Sequence, residues 1–96
     1  MNIDSSLCGR WVTEDEDSDV EIVVQFREGV PEVTARCLSD GEVMFVESLR
    51  CEGNVLSFYT LVPSSKYRVR NRMRFLTSDT CEMELTFTEP WKRLPS

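Results

Sequence analysis

Lys66-Tyr67-Arg68-Val69-Arg70-Asn71-Arg72-Met73-Arg74-Phe75 is the stretch whose reading decides the fold. Every even position is basic and, Asn71 excepted, every odd position is apolar. Successive side chains of a strand point to opposite faces, so a period of two makes this one long β-strand with an oily face and a cationic face. On a helix the same residues would spread around the whole circumference.

Downstream, Ser78-Asp79-Thr80 reads as a turn and Cys81 to Thr88 as a last strand before Pro90. A three-residue loop at Ser78–Thr80 sets Phe75 beside Met83, Met73 beside Leu85 and Asn71 beside Phe87. It also sets Arg74 beside Glu84 and Arg72 beside Thr86. A two-residue loop would set Arg74 against Met83, and a one-residue slip sends every side chain to the wrong face. Several cross-strand pairs, each worth a few tenths to ~1 kcal/mol, favour the three-residue loop.

Upstream, Val55 to Val62 and Glu42 to Leu49 read as strands joined by the tight turn Glu52-Gly53-Asn54. Ser39-Asp40-Gly41 fits a three-residue hairpin loop with a Gly bulge, which predicts the pairs Cys37–Val43, Arg36–Met44 and Ala35–Phe45. The strand before it is expected at Val33 to Leu38, its start delayed by Pro31. Val20 to Phe26 alternates, with Val20, Ile22, Val24 and Phe26 on one face, and turns at Arg27-Glu28-Gly29. Gly9 to Val12 opens the first strand, after a short helical turn within Ile3–Cys8 capped by Asp4 or Ser5. The run Glu14 to Asp19 is too densely acidic for anything but a solvated loop, and it lacks the ligand spacing of a calcium loop.

The expected fold is therefore all-β: an antiparallel up-and-down meander of about seven to eight strands in one domain, 1–96, forming a small barrel or half-barrel. Seven strands close awkwardly, because the first and last would meet parallel. A short eighth strand, a gap, or dimerisation through the open face or edges are the ways out.

A chain of 96 residues with 41% hydrophobic and 29% charged residues suits one soluble domain. A net charge of −6 speaks against nucleic acid as partner. No apolar run reaches the ~20 residues of a membrane helix, and the start lacks the pattern of a signal peptide, so the expected compartment is the cytoplasm. There Cys8, Cys37, Cys51 and Cys81 stay reduced; no C-x-x-C pair suggests zinc, and no metal or cofactor is expected. Histidine is absent altogether, which removes Ser-His-Asp and Cys-His catalysis. Glu47, among Phe45, Val46 and Leu49, is a strand carboxylate with apolar neighbours, and an arginine partner is its expected fate. No catalytic residue is assigned.

Gly9-Arg10-Trp11 opening a first strand after a short turn, followed by a meander, resembles the lipocalin and broader calycin families. Lys92 or Arg93 would then correspond to the basic residue that packs over the tryptophan. The resemblance implies a cup for a small ligand, or a shortened version that two copies complete as a homodimer.

Two surfaces follow as candidates. An apolar or amphipathic ligand is expected to meet Trp11, Phe45, Phe58, Tyr67, Met73 and Phe87, with Asn71 as the polar contact. Alternatively, Lys66, Arg68, Arg70, Arg72 and Arg74 form a face for an anion or acidic partner, since guanidinium forks hold carboxylates and phosphates bidentately. An inverted barrel, with these arginines lining the cup, is the third arrangement.

Overall fold

The computed structural model describes residues 3–14, 17, 19–65 and 67–95. Lys66 and the acids Asp15 and Glu16 of the acidic run lie outside the described residues. Seven strands, β1 (Gly9–Trp11), β2 (Val20–Arg27), β3 (Val30–Cys37), β4 (Val43–Glu52), β5 (Val55–Leu61), β6 (Arg68–Phe75) and β7 (Cys81–Thr88), follow a 3₁₀ turn at Ser5–Leu7. They pair in sequence order, each antiparallel to the next, in one up-and-down sheet curled into a half-barrel. The first and last strands do not pair, so the barrel stays open between them.

β6 presents its two faces as the alternation dictates. Asn71, Met73 and Phe75 are buried and Arg68, Arg70, Arg72 and Arg74 are exposed. The arginines therefore lie outside the half-barrel, which rules out the inverted arrangement. The concave core joins Ile22 and Val24 of β2, Val33 and Ala35 of β3, Met44 of β4, Leu56 and Phe58 of β5, and Met73 and Phe75 of β6. Leu7 of the 3₁₀ turn is buried with them, and Asp4 caps that turn by accepting from the Ser6 N–H at 2.8 Å.

Two hairpins depart from the expected registers. β3 meets β4 through Ala35↔Met44 and Arg36↔Val43, one residue away from the predicted pairs. The loop runs through four residues, closed by Cys37 N–H donating to the Glu42 carbonyl at 2.8 Å. This register sets buried Ala35 beside buried Met44 and turns Phe45 outward, whereas the predicted one would have brought Phe45 into the core. The β6–β7 loop has three residues but sits one position earlier, at 77–79, because the Leu76 N–H donates to the Thr80 carbonyl at 2.9 Å. The Thr77 hydroxyl accepts from the Asp79 and Thr80 amides, both at 3.1 Å, and fixes that turn. Partners consequently shift by two residues, to Met73↔Met83, Asn71↔Leu85 and Arg72↔Glu84, and every side chain keeps its expected face.

β3 begins at Val30 and includes Pro31, earlier than expected. Val30 closes the two-residue turn against Arg27, so Pro31 directs its nitrogen away from β2. On that side β4 pairs only at Ala35 and Arg36, and no ladder bond is lost.

β4 extends to Glu52, past its expected end, because of a bulge between Glu47 and Arg50. Strict alternation from Met44 and Val46 would turn Ser48 and Arg50 inward. The extra residue, with Ser48 at φ 55°, instead sends Leu49 to the core and Arg50 to water.

Candidate functional site

Where β1 and β7 fail to meet, the concave side opens as a cleft of about 290 Å³. Trp11, Val20 and Ile22 wall it on one side and Met73, Met83 and Leu85 on the other, with Thr13 and Glu14 also lining it. Its surface is apolar because both walls are the inward faces of alternating strands. The Trp11 indole is oriented at two points. Its Nε1–H donates to the Leu7 carbonyl at 3.0 Å, and its ring meets Phe75 edge-on with centroids 5.1 Å apart. Among the described residues, the expected stacking of Lys92 or Arg93 on this tryptophan is not found.

The residues expected to share a ligand wall are divided. Trp11 and Met73 line the cleft. Phe58 and Asn71 are buried in the core behind it. Asn71 Nδ2 donates to the Thr60 hydroxyl at 3.1 Å and to the Val69 carbonyl at 3.2 Å, so its amide fastens β6 to β5. Phe87, 65% exposed, continues the inward face of β7 beyond the cleft. Tyr67 is exposed ahead of β6. Phe45, 59% exposed, lies on the opposite face of the sheet and shares no surface with the others. Val20, Ile22, Met83 and Leu85, which the sequence reading did not single out, complete the walls. Their alternation was legible, but which strands flank the opening depends on closure.

The cationic face is real but unevenly engaged. Arg74 reaches Glu82 at 2.6 Å and Arg72 reaches Glu84 at 3.9 Å, across the β6–β7 pair. Arg68 lies 3.8 Å above the Tyr59 ring and 3.9 Å from Glu47, the expected arginine partner of that carboxylate. Arg70 has no such partner among the described residues. Beside it stands Arg50, which sequence reading missed because only the bulge exposes it. Arg50, Ser57 and Arg70 line two adjoining hollows of about 270 and 130 Å³, Tyr59 in the first and Arg72 and Glu52 in the second.

A third charged cluster sits on the outer face of β1–β3. Glu21 is buried, held by Arg10 and by Arg36 Nε at 3.0 Å. The Arg10 guanidinium, opposed by desolvation and helped by Arg36, holds the Glu21 carboxyl below its ordinary value. Both its oxygens are engaged, so this glutamate ties three strands together and is not free to move protons.

No family model, curated protein or solved structure matches the chain.

Proposed function

We propose that the chain is a small non-enzymatic binding module of calycin-like type whose cleft takes one apolar or amphipathic small molecule. The observation that carries this reading is the apolar opening between β1 and β7, lined by Trp11, Met73, Met83 and Leu85. Ligand sites are concave, chiefly apolar and a few hundred Å³ or larger, so a cleft of about 290 Å³ suits a short chain or a single ring. Glu14 among its lining residues favours a neutral or cationic head group over a carboxylate.

Thermal melts with medium-chain alcohols, amines and carboxylates test the reading, because a ligand of the native state raises the melting temperature. The alcohol and amine are expected to raise it more than the carboxylate, and Leu85→Glu to abolish the shift. A melt indifferent to all three ligands overturns it.

A second reading, docking of an anion or acidic partner on the cationic face, is favoured by Arg50. The register places Arg50, Ser57 and Arg72 in one row across β4, β5 and β6, with Arg70 on the diagonal. Two strand spacings separate the outer arginines by about 10 Å at the backbone, room for a phosphate between guanidinium groups with a hydroxyl beneath. Phosphate titration at constant ionic strength checks it: wild type is expected to bind, and Arg50→Ala and Arg70→Ala each to weaken binding. Equal affinity in all three would refute specific capture.

A further inference from the structure

The last strand leaves a complete edge open. The Phe75 N–H donates to the Asn54 carbonyl at 2.9 Å on the β5 side, and the Leu76 N–H to the Thr80 carbonyl at 2.9 Å on the β7 side. Alternation along the unbroken β6–β7 register turns the even residues of β7 toward β6. The N–H and C=O groups of Cys81, Met83, Leu85 and Phe87 therefore point at the open edge. The same four side chains lie on the concave face, where Met83, Leu85 and Phe87 are 38, 49 and 65% exposed. No proline, lysine or bulge interrupts residues 81–88, the usual protections of an edge. At the other end of the sheet β1 offers three residues only.

We propose that two copies of the chain pair antiparallel along β7, about a two-fold axis at Leu85. The register follows from face and charge. Two-fold pairing within a sheet must match residues of the same face, so only shifts of two residues compete. Centred on Leu85, it sets Leu85 against Leu85, Met83 against Phe87, Glu84 against Thr86 and Glu82 against Thr88. Centred on Glu84, it would oppose two glutamates directly, which is destabilising. Centred on Thr86, it would set Met83 against Glu89 and shorten the contact.

The chosen register also continues the charge pattern of the outer face. Arg72 lies opposite Glu84 and Arg70 opposite Thr86 within one chain. Across the axis the row becomes Arg72, Glu84, then Thr86 and Arg70 of the second copy, so each glutamate faces a neutral threonine and no like charges are opposed. The next row repeats this with Arg74, Glu82, Thr88 and Arg68. The pairing needs no cleft ligand, although Met83 and Leu85 of the same strand also wall the cleft.

Sedimentation equilibrium of the full chain tests the proposal, with an expected mass twice 11.1 kDa. Amide exchange at Met83, Leu85 and Phe87 should slow as protein concentration rises. Leu85→Pro removes an N–H that bonds nothing within the chain, so it should halve the mass while the strand spectrum is retained. If that variant fails to fold, Leu85→Lys serves in its place. Leu85→Cys should give a disulfide between the substituted positions of the two copies on oxidation, because directly opposed residues stand about 5.5 Å apart at Cα. A wild-type monomer at every concentration, a dimer that survives both substitutions, or a ladder of larger species from β7-to-β1 pairing would each overturn the proposal.

Discussion

Trp11 of β1 meets Phe75 of β6 edge-on, with ring centroids 5.1 Å apart and planes at 69°. The two strands are five places apart in the sheet order, so this contact spans the concave side and holds the curl. Phe75 is fully buried, and Phe75→Ala should cost about 3–5 kcal/mol in a urea melt. Trp11→Phe keeps a ring but loses the bond to the Leu7 carbonyl, at a cost of about 1 kcal/mol.

Acid unfolding should report on Glu21. Its carboxyl titrates below the ordinary 4.5 in the folded chain, chiefly through Arg10. A depressed folded pKa contributes stability that is fully present above the unfolded value and is lost as pH falls through the folded one. Glu21→Gln is therefore expected to lower stability at neutral pH and to flatten its decline in acid. Asp4, also lowered by its bonds to Ser6, remains in both chains, so the difference between their urea melts isolates Glu21.

Among the described residues, two other than glycine occupy the left-handed region, Glu28 at φ 54° and Ser48 at φ 55°. Glu28 precedes Gly29 in the two-residue β2–β3 turn, where Asn-Gly is the favoured pair. Glu28→Asn and Ser48→Gly should each raise stability by roughly 0.5–1 kcal/mol, measured by chemical denaturation.

Asn71 and Thr60 are buried polar groups that bond each other at 3.1 Å between neighbouring strands. Asn71→Ala should cost about 1–3 kcal/mol, since it leaves the Thr60 hydroxyl short of a partner. A double-mutant cycle with Thr60→Val is expected to show coupling on the order of 1 kcal/mol.

The four free thiols should differ in reactivity. Burial pushes the Cys81 thiol up, and burial together with Asp40, Glu42 and Asp19 pushes Cys37 up, while Cys8 and Cys51 are exposed. Thiolate is the reactive form, so iodoacetamide should label Cys8 and Cys51 well before Cys37 and Cys81, as peptide mass mapping would show.

Much of this was legible from residue order. The alternation over 68–75 fixed a strand, its oily side and its arginine side, because side-chain direction in a strand is a local steric property, while Tyr67 falls outside the strand and Lys66 lies outside the described residues. Glycines and short polar runs located the turns for a similar reason. Face assignment in the β6–β7 hairpin survived the two-residue shift because only odd slips exchange the faces.

Where local preferences were nearly balanced, tertiary packing decided. Hairpin registers differ by pair energies of a few tenths of a kcal/mol, so turn closure at Thr77 and burial of Ala35 beside Met44 settled them. The bulge costs a strained residue at Ser48, and it persists because Leu49 belongs in the core and Arg50 in water. The apolar parity of β4 itself switches between Val46 and Leu49, and the extra residue between Glu47 and Arg50 absorbs that switch. Sequence thus established the strands and their faces, while the three-dimensional curl chose the open cleft and the bare β7 edge, since each depends on which distant strands meet.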